Sequence, residues 1–420
     1  MKWMKRTLAL FVCAGMLSAP TTVLADEAQL QSEIETLKNR LAELEARFAS
    51  QAVPQTAGGH SWHQSNPSME SLVNGVTVSG FVDTTWNYNF NSPDTLTNRA
   101  RVFDAAADTI DMSAAELVFA KAPTEDQRVG FRTDLYFGTD AEVIGSTGLG
   151  TTDDEFDLEQ AYVEMLVPTS NVIAGANDIN LKVGKFVTLA GFEVIESKDN
   201  WNISRGLLFG YAIPFTHTGV RGTYVFDNGW DLALGVNNGW DMVDDTNTAK
   251  TMEFHFGFNS LQLPGESTLT IAINHYWGPE AASNDNTNRN LTDVIFLYNT
   301  PIKPLTLAYN FDYGHEDNLI AVNNDGNWIA HGVHAKWAFN DQWSLAGRYE
   351  FFDDTDGLRV ISGSPAEYNS FTGTLEYRPW KNIITRLEYR YDDANRNLFN
   401  DRAGRSDSQG TIAGEVIYFF

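Results

Sequence analysis

A single cysteine stands in 420 residues, Cys13, and it falls inside the N-terminal export signal described below. The chain expected after processing therefore has none, which excludes disulfides and thiolate metal sites. Leu10-Phe11-Val12 also lacks the small residue that a lipoprotein cleavage site needs before its cysteine. Positive charge is scarce: 29 Lys and Arg face 55 Asp and Glu, a formal charge of −26. Such acidity excludes nucleic acid as a partner, because phosphate repulsion would oppose the approach. Missing too is any apolar run near the roughly twenty residues that a membrane-spanning helix needs, so a membrane could be crossed only by strands. His217, His255, His275, His315, His331 and His334 fall beside no identifiable serine partner, and no carboxylate dyad can be placed. Neither catalysis nor a cofactor is expected.

What is present begins with Lys2, Lys5 and Arg6, a short apolar core from Thr7 to Leu17, and Val23-Leu24-Ala25 as a cleavage site. Residues 1–25 thus read as a signal peptide, and its removal takes the formal charge from −26 to −29. Residues 26–50 read as a periplasmic coiled coil, with Leu30, Ile34, Leu37, Leu41, Leu44 and Phe48 recurring at spacings of four and three. Glu33 with Lys38 and Arg40 with Glu45 sit at the spacing of pairs between parallel strands. Arg40-Leu41-Ala42-Glu43-Leu44-Glu45 resembles a trimerisation pattern, so a homotrimer is expected. An amphipathic helix lying on a barrel or membrane is the alternative. Residues 51–72 read as a polar linker, where His60 and His63 have no third ligand beside them and no metal site is expected.

From residue 73 to 420 sixteen runs alternate apolar and polar residues. In the first, Val76, Val78, Gly80, Val82, Thr84, Trp86, Tyr88 and Phe90 face one way, and Thr77, Ser79, Asp83, Thr85, Asn87 and Asn89 the other. Lipid outside and water inside explain both rows. Odd connectors are long (91–109, 139–155, 189–215, 278–290, 353–367, 393–408), whereas even ones are mostly tight, as at Asp227-Asn228-Gly229, Pro301 to Lys303, Asn340-Asp341 and Pro379-Trp380-Lys381. The expected fold is all-β, a transmembrane antiparallel barrel of about sixteen strands preceded by a short helical coiled coil. Two runs fit poorly: Leu291 to Asn299 is apolar on both faces, and Trp328 to Trp337 puts His331 on the lipid side, against a neighbouring subunit or in the wrong register. The last run, Gly410 to Phe420, ends with Val416, Tyr418 and Phe420 on one face, which resembles the signal read by the bacterial outer-membrane assembly machinery. Outer-membrane lipid and lipopolysaccharide are the expected surroundings, with acidic outer loops bridged to the latter by divalent cations.

A sixteen-strand barrel is wide enough for an aqueous channel. The third long connector, 189–215, carries Phe192, Val194, Ile195, Trp201, Leu207, Leu208, Phe209, Tyr211, Ile213 and Phe215, too many apolar groups to leave in water. It is expected to fold inward as a constriction bearing Glu193, Glu196, Asp199 and Arg205; an outer cap or a subunit contact is the alternative. Inward positions of the last strands hold Arg348, Glu350, Glu376, Arg378, Arg386, Glu388 and Arg390, since such charges facing lipid would cost about 2–4 kcal/mol each. Arginines opposite an acidic loop would set a transverse field across the lumen, unless they only neutralise glutamates across strands.

Gly184-Lys185-Phe186, Gly191-Phe192-Glu193-Val194-Ile195-Glu196-Ser197, Asp199-Asn200-Trp201-Asn202-Ile203-Ser204-Arg205 and Ala212-Ile213-Pro214-Phe215-Thr216-His217-Thr218-Gly219-Val220-Arg221 resemble the signature stretch of the OmpL-like β-barrel porin family. The resemblance implies passive passage of small hydrophilic solutes across an outer membrane and no catalytic residues. The N-terminal coil is also similar to the arrangement in phosphate-selective porins, but no dense Lys or Arg ladder follows along the early strands, and the acidity tilts toward cations. The rival readings are a structural protein tethering or spacing the envelope through its coil, or a surface adhesin or receptor.

Overall fold

The computed structural model describes residues 75–150, 155–169, 177–319 and 324–420. The signal peptide, the coiled coil, the linker and the His60/His63 pair lie outside the described residues.

Sixteen antiparallel strands form one closed barrel: β1 (Thr77–Asn89), β2 (Ile110–Lys121), β3 (Val129–Phe137), β4 (Phe156–Val167), β5 (Ile179–Val187), β6 (Thr216–Val225), β7 (Trp230–Asn237), β8 (Thr251–Leu263), β9 (Ser267–Pro279), β10 (Asn288–Asn299), β11 (Leu305–Leu319), β12 (Asn324–Ala338), β13 (Trp343–Asp354), β14 (Ala366–Trp380), β15 (Ile383–Ala394) and β18 (Ser408–Phe419). Between the last two, β16 (Phe399–Asp401) and β17 (Gly404–Ser406) make a separate small hairpin, and the second long connector carries a six-residue helix, α1 (Thr139–Ile144). Every barrel strand pairs with its neighbours in sequence, and β1 closes on β18 with Phe81 opposite Phe419. Gly80 and Phe420 exchange backbone hydrogen bonds at that seam (3.2 and 3.1 Å). Closure leaves no unpaired edge, which is what allows strands to sit in lipid.

The two faces divide as the alternation dictates. On β1, Val78, Val82, Trp86 and Tyr88 are exposed, as is Phe90 just beyond it, whereas Asp83, Asn87 and Asn89 are buried. Trp230, Trp337, Trp343 and Trp380 ring the outer face at the end holding both strand termini, and Phe90, Trp277, Tyr313 and Tyr391 ring the loop end, as expected of girdles at two membrane interfaces. The two poorly fitting runs are strands β10 and β12 in the expected register. His331 does face outward, pairing with Phe351 and Phe311 in the ladders and accepting or donating at Nδ1 to Tyr309 Oη (2.8 Å). Leu291 points inward and is buried, which accounts for the apolar residues on both faces of its strand. One turn moves slightly: Trp380 still pairs with Ile383, so Lys381 and Asn382 make the bend.

Alternation alone predicts a wet inner face, yet Phe81, Tyr136, Phe186, Tyr276, Leu291, Trp328 and Phe352 are buried there. Most of them belong to one hydrophobic cluster with residues of the third long connector, so the inner wall has an apolar partner other than water.

Candidate functional site

The connector 188–215 joins β5 to β6. Its shape is set locally. Asn200 closes a tight lobe by accepting from the Val194 amide (3.0 Å) and donating to the Val194 carbonyl (2.7 Å), around a 3-10 turn at Ser197–Asp199. Leu208–Ala212 forms one π-helical turn. Gly191 has φ +94, and a Cβ there would meet Ile213 Cδ1 at 2.5 Å, so both backbone and space require glycine. Ile195, Ile203, Leu207, Leu208, Phe209, Ile213 and Phe215 are buried, while Val194 stays exposed. Phe209 and Phe215 pack against Phe103 of the first connector, tilted and edge-on, at centroid distances of 5.8 and 5.6 Å, and the Arg205 guanidinium lies over the Phe103 ring at 4.6 Å. Each such apolar side chain removed from water contributes about 1.5–3 kcal/mol.

An irregular segment cannot satisfy its own peptide groups, so it must find partners on the wall. On β13, β14, β15 and β18 those partners are charged. Arg348 donates to the Ser204 carbonyl (2.6 Å), pairs with Glu193, and reaches Glu350 at 3.1 Å. Glu388 accepts from the amides of Ile203 (2.7 Å) and Ser204 (3.1 Å), and Glu350 from that of Leu208 (3.1 Å). Arg386 donates to the carbonyls of Ser197 (2.9 Å) and Asn200 (2.6 Å) while bridging Glu376 (3.0 Å) and Glu415 (2.9 Å). Arg390 donates to the Arg205 carbonyl (2.7 Å) and to Asp392 (2.8 Å), which also takes Arg101 of the first connector (2.7 Å). Bonds with one ionised partner are about twice as strong as neutral ones, so this wall grips the loop firmly.

The wall from β2 to β4, reached from β18 across β1, is different. Glu116 on β2, Glu159 on β4 and Glu196 on the loop bring carboxylate oxygens within 4.8 Å of one another. Glu159 occupies a bulge: Asp134 pairs with Gln160 and Leu135 with Leu158, leaving Glu159 between them, so it and Gln160 both turn inward. Neither oxygen of Glu159 accepts a hydrogen bond. Burial raises the Glu196 carboxyl above its ordinary range. On α1, burial likewise pushes Asp140 up to about 8, which the Arg205 guanidinium 3.5 Å away only partly opposes.

Below the loop, at the end holding both termini, lies a cavity of about 790 Å³ bordered by Glu116, Arg132, Lys198, Trp201, Lys336 and Phe420 among others. Of the residues singled out from the sequence, Glu193, Arg205, Arg348, Glu350, Arg386, Glu388 and Arg390 are buried together where loop meets wall. Glu196, Asp199 and Arg378 border the cavity. Val416 and Tyr418 project from the outer face of β18, and Phe420, just past its end, reaches the cavity border. Sequence reasoning passed over Asp83, Glu116, Glu159 and Glu415 on the inner wall, though three of these four have the inward parity that marked the arginines; Glu159 sits at the bulge, where parity gives no guide.

The family described as "Putative beta-barrel porin-2, OmpL-like" matches residues 75–420. No curated protein matches the chain by sequence. Among solved structures, the barrel is similar to the anion-selective porin from Comamonas acidovorans (TM-score 0.55, 10% identity, 82% of this chain and 99% of that one). It is similar also to the outer membrane channel DcaP of Acinetobacter baumannii (0.54, 15%, 82% and 97%) and to the trimer form of OmpT, an outer membrane protein of Vibrio cholerae (0.52, 14%, 82% and 99%). At these identities the likeness is one of fold.

Proposed function

Since the chain belongs to the OmpL-like family of β-barrel porins, we propose that it sits in an outer membrane and passes small hydrophilic solutes or ions by diffusion, through a lumen that the third long connector narrows. The observation that carries this reading is the engagement of that connector by inward-facing side chains, from Asn310, which accepts from the Phe192 amide (2.9 Å), round to Arg386. The cavity supports an antechamber on the periplasmic side, where both barrel termini lie. Its border mixes Glu116, Glu196 and Asp199 with Arg132, Lys198, Lys336 and Arg378, so charge selection is weak and size exclusion dominates. The assembly is a homotrimer held by the Leu30 to Phe48 coil, and the outward His331, ringed by Phe311 and Phe351, suits a protein neighbour better than lipid.

A second reading draws on the burial of Arg348, Arg386 and Arg390, each 4% exposed or less. In it the barrel is closed and serves as an anchor for an envelope tether or receptor. Planar-bilayer recording of the purified trimer across a salt gradient separates the two. Conductance steps in threes are the expected result; a silent membrane with folded, heat-modifiable protein would overturn the channel reading in favour of the anchor.

A further inference from the structure

We propose that Glu116, Glu159 and Glu196 form a calcium site that fastens the third long connector to the β2–β4 side of the barrel. Their oxygens lie within 4.8 Å of one another. Two oxygens bound to one calcium ion stand at most about 4.6–5.2 Å apart, and the three carboxylates already meet that limit. Glu159 is 0% exposed with both oxygens unpartnered, and Oε1 of Glu116, a residue 3% exposed, is unpartnered as well. An ionised carboxylate removed from water without a donor is strongly unfavourable.

The cations within reach are committed elsewhere. Arg132 donates its Nε to both oxygens of Asp134 (2.9 and 2.8 Å), and Lys198 pairs with Asp199. Asp134 itself is further satisfied by Gln160 (2.6 Å), so it neither competes with the trio nor relieves it. The bulge is the second sign of a built site, because β4 gives up a ladder position and thereby turns Glu159 inward. All donors are oxygen, which suits a hard cation and disfavours softer metals. Glu116 and Glu196 border the cavity, which gives the ion an entry path and room for the waters that complete six to eight ligands. A bound ion would join two strands to the loop and replace the hydrogen bonds this side lacks.

The inference does not rest on solute passage, and its test reads binding directly. Full-length protein in detergent, stripped with EDTA, is titrated with calcium chloride by calorimetry, alongside Glu159→Gln and Glu116→Gln. The expected result is one more calcium ion bound per chain in the wild type than in either variant, with an unfolding temperature that falls on chelation and recovers with calcium only in the wild type. Equal stoichiometry and an equal calcium response in all three would overturn the site and leave protons as what neutralises the trio. Using two variants guards against one failing to fold.

Discussion

The same connector meets two walls of the barrel on opposite terms. Along β13 and β15, arginines and glutamates end on its carbonyls and amides, and Arg348, Arg386 and Glu388 each have several partners. Along β2 and β4 it meets Glu159, neither oxygen of which has a donor, and Glu116, one oxygen of which has none. The first contact is specified wholly by the polypeptide, whereas the second is complete only with something supplied from solution, a proton or a cation. A loop held this way has one permanent attachment and one conditional one.

The largest test of that contrast is removal of a guanidinium from the first wall. Arg348→Ala leaves Glu193 and Glu350 buried without their cation, and removal of one partner from a buried pair costs about 3–5 kcal/mol. Arg132→Ala, whose side chain is partly exposed, takes its donor from the buried Asp134, which Gln160 still serves, and costs less, about 1–3 kcal/mol. Urea unfolding of the two variants gives both numbers, and equal losses would erase the distinction between the walls. Next in size is Gly206→Ala. A Cβ there would meet Glu350 Oε1 at 2.1 Å, and that carboxylate is pinned by Leu208 and Arg348, so displacing it costs about 1–3 kcal/mol. Raised conductance in planar bilayers is expected alongside, if the loop is the barrier.

A smaller effect is expected from pH. The Asp140 carboxyl titrates near 8 in the folded protein against an ordinary value near 4, so the folded state holds more protons between those values and stability falls as pH rises through that window. Asp140→Asn, which mimics the protonated form, should flatten the fall in melting temperature measured from pH 5 to 8; an unchanged slope would place the titration elsewhere. The smallest shift belongs to Arg378→Gln at the cavity border, where the reversal potential moves toward cation preference. No movement would mean that this end of the lumen does not set selectivity.

Much of this architecture can be read from residue order alone, because a barrel wall obeys a period of two. Val78 and Val82 against Asp83 and Asn87 assign faces without any structure, and sixteen such runs number the strands. Parity fails where the ladder does. Glu159 and Gln160 cannot both face inward in a regular strand, so the bulge that brings Glu159 into the carboxylate trio is invisible to alternation. Inner-wall rings such as Phe81 and Tyr136 were likewise illegible, since an inward aromatic makes sense only once an apolar loop lies against it. The apolar content of 189–215 announced that it must be covered. That it folds inward was expected; which groups hold it did not show, because the arginines bind its carbonyl groups, which every residue possesses and no motif records.

The pairing of this loop with the far end of the chain also sets an order of events. Arg348 meets Ser204 across 144 residues and Arg386 meets Ser197 across 189, and the barrel itself closes only when β18 reaches β1. Until the barrel is complete, the greasy face of the loop therefore waits for partners that arrive late. Contacts so distant in sequence form slowly, and the waiting segment is the one most exposed to aggregation. The interval before the last strand arrives is the one in which the chain is most open to self-association.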